Sequence, residues 1–256
     1  LAPLGVPVVL LKGSAFVAAG LDAGQGRAIG DLDILVPRAA LDAVEAALLA
    51  AGWEWVKADA YDDDYYRRWM HELPPLIHAE RDRMIDVHHT ILPPTARPTP
   101  DADALIADAM PLENGLFVLS PADMIVHAAA HLFADGDLSG GLRNLWDIDR
   151  LLREYDAPAF HAGLAERAKR HGLAAAVSRA LRLARYLFDS PVDPSLVARS
   201  GPIDALYRRR LLVRDGWGRQ AHALTRFAFY IRSHWIRMPP SMLARHLIIK
   251  AFRKPG

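Results

Sequence analysis

Leu10-Leu11-Lys12-Gly13-Ser14 and Gly30-Asp31-Leu32-Asp33-Ile34-Leu35-Val36-Pro37 are the two stretches on which the reading of this chain turns. The first completes an apolar, β-branched run from Val6 to Leu11 that stops at a lysine and a glycine. That is a strand running into a turn. Leu32 to Val36 is a second such run, closed by Pro37. Side chains two apart on a strand share a face, so Asp31 and Asp33 stand side by side while Leu32 and Ile34 enter the core. Adjacent carboxylates repel each other unless a cation neutralises them, and hard oxygen donors favour magnesium or manganese. Asp86, within Met84-Ile85-Asp86-Val87-His88, sits on another apolar strand. Placed beside the second strand, it gives three carboxylates for one cation cluster.

Gly13-Ser14 suits the other end of a phosphoryl reaction. Glycine lets backbone amides approach a phosphate, a following helix offers its positive end, and the serine hydroxyl adds a donor. Lys12 and Arg27 contribute formal charge. These parts together match nucleotidyl transfer, in which an acceptor attacks the α-phosphorus of a triphosphate and pyrophosphate leaves.

Outward from this core, Ala39 to Ala51 places apolar residues at helical spacing and ends at Gly52, which predicts an amphipathic helix. Trp53 to Val56, Leu73 to His78 and Met84 to Ile91 read as strands, the last two joined through Arg81-Asp82-Arg83 as a hairpin. After the proline-rich stretch from Pro93 to Pro100 the composition turns to helix formers. A catalytic domain over 1–95 and a helical domain over 100–256, binding the acceptor or closing the pocket, are the expected division. Ser120-Pro121-Ala122-Asp123 opens a helix with an N-cap serine, a proline at the first position and an acid at the third. Further helices are expected over 142–155, 159–170, 174–188, 203–214, 219–236 and 241–252.

Composition narrows the classes. The chain has 256 residues, 52% hydrophobic and 24% charged, enough for a substantial core and against general disorder. Its apolar stretches, such as Val8 to Leu11, fall far short of the roughly 18–20 residues needed to cross a bilayer. With no signal-like opening, a soluble cytoplasmic protein is expected. The chain opens at Leu1 without a methionine, almost directly on a strand, which implies residues upstream. Zero cysteines exclude disulfide scaffolds, thiolate nucleophiles and Cys-ligated metals.

The string LLKGSAFVAAG…GRAIGDLDILVP, with IDVHH some fifty residues later, resembles the polymerase-β-type nucleotidyltransferase superfamily. More narrowly it resembles an uncharacterised bacterial nucleotidyltransferase family marked by Leu-Lys-Gly, an arginine before Gly-Asp-x-Asp, and a later Ile-Asp-x-His. The resemblance extends to SPADMIVHAAAHL, LRNLWDIDRLL and SHWIRMPP in the helical part. It implies an α+β fold: a mixed sheet with flanking helices, then a mainly helical region. It also implies a Mg2+- or Mn2+-dependent transfer of NMP from an NTP, with ATP binding among the expectations. In its terms Lys12, Gly13, Ser14 and Arg27 bind phosphates, and Asp31, Asp33 and Asp86 are the metal-binding, catalytic acids. The gap from Ser14 to Asp31 is longer than in compact members of the superfamily.

Asp-x-Asp alone also occurs in glycosyltransferases that use sugar nucleotides, and on plain solvated strands. A haloacid-type phosphatase would want a Gly-Thr turn after the second acid, where Ile34-Leu35 stands. A nucleotide-binding adaptor without chemistry is the alternative of another class. His127 and His131 share one helix face and could line the pocket, hold a metal or serve only helix packing; the zinc-protease glutamate is absent, Ala128 taking its place. His88, on the face of Asp86, is placed either at the site's edge or in a plain structural role. Residues 1–201 carry 19 Lys/Arg against 28 Asp/Glu, whereas 202–256 carry 12 against 2. Arg208, Arg209, Arg210, Arg226, Arg232, His234, Trp235, Arg237 and Arg245 therefore make a basic, aromatic tail, read as a solvated face, as a contact with acidic lipid or with the acidic N-terminal domain, or as a seat for an anionic acceptor such as a peptide, a protein, a small molecule or an RNA end.

Overall fold

The computed structural model describes residues 1–57, 60–134, 136–197, 201–236 and 241. Among them the strands are β1 (Val9–Leu10), β2 (Asp31–Leu35), β3 (Trp53–Trp55), β4 (Leu76–His78), β5 (Met84–His88), β6 (Met110–Pro111) and β7 (Phe117–Val118). The helices are α1 (Lys12–Ala18), α2 (Leu41–Ala50), α3 (Ala60–Trp69), α4 (Ala102–Ala107), α5 (Pro121–Ala134), α6 (Gly141–Glu154), α7 (Pro158–Arg170), α8 (Ala174–Phe188), α9 (Pro202–Leu211) and α10 (Ala223–Trp235). The fold is α+β.

One mixed sheet runs in the order β3-β4-β5-β2-β1-β7-β6. β2 and β5, the two aspartate strands, lie side by side and parallel, with Asp33 opposite Asp86. β4 and β5 form the expected antiparallel hairpin, turning at Asp82 in the left-handed region at φ 48°. β6 and β7, which the helix-forming composition after residue 100 does not announce, pair with each other and attach in parallel to β1. The sheet thus draws on chain from both sides of the proline-rich stretch.

Burial follows the pattern of the strands. Val9, Leu10, Ile34, Leu35, Ile85 and Val87 are buried in the sheet's core. They join Ile125, Leu145, Ile148, Leu151 and Leu181 of the helices in one continuous apolar cluster. α5 packs on α6, α7 and α8, so it is the central post of the helical part. Its start is fixed as the sequence implies: Ser120 Oγ accepts from the Asp123 backbone N–H at 3.3 Å and donates to Asp123 Oδ2 at 2.7 Å.

Much of the basic tail is engaged within the fold. Arg210 reaches Asp137 at 2.9 Å, Arg232 donates to the Gly136 carbonyl at 2.7 Å, and the Arg208 guanidinium lies 3.7 Å from the Tyr186 ring centroid. Arg237 and Arg245, and the helix expected over 241–252 apart from Ser241, lie outside the described residues. No described helix is long and apolar enough to cross a membrane.

Candidate active site

β1 ends at Leu10, and α1 begins at Lys12, so the sharp change of direction falls on the Leu11-Lys12-Gly13 link. Lys12 takes a left-handed backbone, φ 51°, a region in which a β-carbon is crowded. Its backbone direction aims the side chain back at the neighbouring strand, where Nζ lies 2.6 Å from Asp33 Oδ1. Leu11 N donates to the Asp33 carbonyl at 3.0 Å, holding the turn against β2. Ser14 Oγ donates to the Leu11 carbonyl at 2.7 Å, closing the same turn from inside.

Asp31, Asp33 and Asp86 come together as the alternation of β2 and its pairing with β5 require. One carboxylate oxygen from each lies within 4.8 Å of the others. Asp33 is buried, Asp86 half-buried and Asp31 exposed, so the cluster opens from core to solvent. Asp33 Oδ1 receives Lys12 Nζ and also His88 Nε2, at 2.9 Å. Burial alone would raise the Asp33 pKa, but the His88 hydrogen bond and Lys12 outweigh it and hold the carboxyl down at about 2. Asp86 moves the other way: burial, then the nearby Asp33 charge, raises its pKa. Burial tends to neutralise Lys12, yet Asp33 keeps its pKa above the ordinary lysine value.

The donor set fits a hard divalent cation. Three carboxylates converge, while the described side chains that reach them are one lysine and one histidine, both on Asp33. A cation there would oppose both the burial and the Asp33 charge that raise the Asp86 pKa. Asp31 and Asp33 line a cleft of about 270 Å³ together with Lys12, Gly13, Ser14 and Arg27. His127, His131, Asn144 and Asp147, from α5 and α6, line it as well.

Arg27 is fixed across this cleft. It pairs with Asp147 on α6 and lies 5.4 Å from the Phe16 ring centroid. Gly13 makes room for it: a β-carbon at Gly13 would stand 2.7 Å from Arg27 Nη1 and 2.9 Å from Arg27 Cδ. Asp147 also faces Arg143 at 3.3 Å, and burial raises its pKa despite these partners. Asp149, the other acid of the Trp146-Asp147-Ile148-Asp149 run, serves Arg150, Arg153 and Ser190.

His127 is buried on the cleft wall, and burial pushes its pKa well below the ordinary imidazole value. His131 lines the cleft and meets Asn144 at 2.8 Å through Nδ1. Neither belongs to a metal-compatible group among the described residues. His88 is in direct contact with Asp33, deeper than the edge position assigned from sequence. Two residues that the sequence reading passed over, His71 and Glu72, stand behind it: Glu72 Oε2 lies 3.3 Å from His88 Nδ1, and the His71 and His88 rings are 5.1 Å apart. Burial lowers the His71 pKa to about 3 and raises that of Glu72.

No curated protein matches this sequence. Among solved structures, the antibiotic-resistance factor ANT(2'')-Ia, seen in solution, superposes with a TM-score of 0.41 and 12% identity over 67% of this chain and 86% of that one. An antigenic nucleotidyltransferase-like protein from Paracoccidioides brasiliensis superposes with a TM-score of 0.39 and 12% identity over 77% of this chain and 90% of that one. The model of a family described as uncharacterised nucleotidyltransferase matches residues 1–189, the stretch that holds the aspartate strands, the Lys12 turn and helices α1 to α8, and the chain belongs to that family of nucleotidyltransferases.

Proposed function

We propose that this protein transfers a nucleoside monophosphate from an NTP, ATP among them, to an acceptor hydroxyl or phosphate in the cytoplasm, with Mg2+ or Mn2+ held by Asp31, Asp33 and Asp86. The observation that carries the reading is the convergence of these three carboxylates within 4.8 Å, two of them on the wall of a cleft that also holds Lys12 and Arg27. A divalent ion there would neutralise phosphate charge and acidify the attacking group.

The chain's own groups supply the rest. Lys12 and Arg27 attract the triphosphate, Arg27 from a fixed position because Asp147 and Gly13 define where its guanidinium lies. The acceptor oxygen attacks the α-phosphorus, an O–P bond forms, the bond to the β-phosphate bridging oxygen breaks, and pyrophosphate leaves. Asp86, half-buried between buried Asp33 and exposed Asp31, takes the acceptor's proton. Neutral His127 and the His131–Asn144 pair offer polar contacts to the base or the acceptor.

Incubating the protein with each labelled NTP, Mg2+ and a cell extract tests the reading. Extract-dependent pyrophosphate release, with label appearing on an acceptor and both lost in Asp33→Asn, is the expected result. Tight nucleotide binding with no turnover under any extract would overturn it in favour of a nucleotide-binding adaptor.

A further inference from the structure

We propose that His71, Glu72 and His88 form a second metal site, for a transition-metal ion of the zinc class, separate from the aspartate cluster and joined to it through His88. A ring nitrogen of each histidine and a carboxylate oxygen of Glu72 lie within 4.8 Å of one another. Two imidazoles and one carboxylate are the donor set of open zinc-type sites, unlike the all-oxygen set of Asp31, Asp33 and Asp86.

The backbone builds this group. Glu72 and His88 are paired across an isolated antiparallel bridge, so their side chains project to one face. His89 N donates to the His71 carbonyl and Leu73 N to the Val87 carbonyl, each at 2.9 Å, which clamps residues 71–73 beside the end of β5. None of the three residues lines the cleft that holds Lys12 and Arg27.

An unsatisfied buried nitrogen points into the group. His88 is 2% exposed, and its Nε2 is committed to Asp33 Oδ1 at 2.9 Å. His88 Nδ1 is buried, has no hydrogen bond among the described residues, and stands 3.3 Å from the Glu72 carboxylate. His71 Nδ1 is likewise buried and unpartnered. A cation between these groups would meet His88 Nδ1, the Glu72 carboxylate and one ring nitrogen of His71, and would leave His88 in the arrangement common to metal-bound histidines, its second nitrogen donating to a carboxylate. His88 is then a positioning residue for Asp33, its tautomer and ring orientation set by the ion.

The test uses the full chain stripped with a chelator and titrated with Co2+, followed by visible absorption and then by Zn2+ displacement. The parent is expected to take up one ion with the intense bands of a low-coordinate nitrogen site, and Asp31→Asn to keep them. His71→Ala and Glu72→Gln are expected to lower Co2+ affinity by at least ~100-fold, the upper end of what losing a ligand's hydrogen-bond partner costs. Bands unchanged in His71→Ala, or lost in Asp31→Asn and retained in His71→Ala, would overturn the proposal. Should His71→Ala not fold, Glu72→Gln carries the comparison. Zinc-edge X-ray absorption of the parent then counts imidazoles: two support the site, fewer reject it.

Discussion

Lys12 Nζ and Asp33 Oδ1 are 2.6 Å apart, joining a residue with a left-handed backbone at the end of one strand to a buried carboxylate on the next. The pair places a lysine where the phosphates and the cation of the proposed reaction meet. Its geometry separates what Lys12 does for the fold from what it does for the chemistry.

Lys12→Gly removes the ammonium and relieves the backbone, whereas Lys12→Ala removes the ammonium and keeps the crowded β-carbon. Lys12→Gly is therefore expected to be more stable than Lys12→Ala by about 1 kcal/mol in urea denaturation. Both should lose NTP affinity to the same degree. Equal stabilities would mean that the left-handed backbone carries no strain; NTP affinity unchanged in both would remove Lys12 from the phosphate site.

Asp33 accepts from two cationic or ring donors in the core, so Asp33→Asn leaves Lys12 facing a neutral amide and forces His88 to find a new partner. Turnover is expected to fall by ~1,000-fold or more, and stability by about 1–3 kcal/mol, the cost of a lost charge-assisted hydrogen bond. Asp31 is exposed and makes no such bonds with the described residues, so Asp31→Asn should cost turnover with a melting temperature close to the parent's. Comparing pyrophosphate release with thermal melts of the two variants checks this split; wild-type turnover in Asp33→Asn ends the assignment.

Gly13 and Arg27 act as one unit in the cleft wall. A methyl at Gly13 collides with the Arg27 guanidinium and Cδ, so the Arg27 side chain has to shift from the position in which it pairs with Asp147. Gly13→Ala and Arg27→Ala are each expected to weaken NTP binding about tenfold, and the double variant little further, a coupling that contacting residues show. Fully additive losses in a nucleotide titration would place the two residues in separate roles.

The aspartates were legible because a strand has a period of two and because Asp31, Asp33 and Asp86 each sit among apolar neighbours. The sequence carried no sign of which strands adjoin, and the β2–β5 register is what makes three separate acids one cluster. His71 and Glu72 escaped notice for the same reason: they follow α3 in irregular chain, and only the bridge from Glu72 to His88 brings them to the site. Arg27 and Asp147 meet across 120 positions, a pairing that no local pattern encodes. β6 and β7 have two residues each, too few for alternation to register above the helix-forming background. The helices of the second half were readable because their caps and apolar stripes are local, as at Ser120 and Asp123.

Asp123 gives the fold an acid-sensitive joint at the start of α5. The carboxylate is fully buried at the start of α5, receiving Arg167 at 2.7 and 2.6 Å and Ser120 at 2.7 Å, with His171 Nε2 3.3 Å away. Burial opposes its ionisation, but His171, Arg167 and Ser120 outweigh burial and hold its pKa below the ordinary carboxylate value. A group with a depressed folded pKa binds its proton more readily when unfolded, so its stabilisation is complete above about pH 4 and is lost as pH falls through the folded value. Asp123→Asn removes the charge at every pH and leaves Arg167 without its buried partner, at an expected cost of about 3–5 kcal/mol near pH 6. The stability gap between parent and Asp123→Asn in urea denaturation should therefore narrow steadily below about pH 4, because only the parent has this charge to lose. A gap that stays constant from about pH 6 to pH 3 would show that the Asp123 carboxylate titrates alike in the folded and unfolded chain, and that Arg167 and Ser120 do no more than offset its burial.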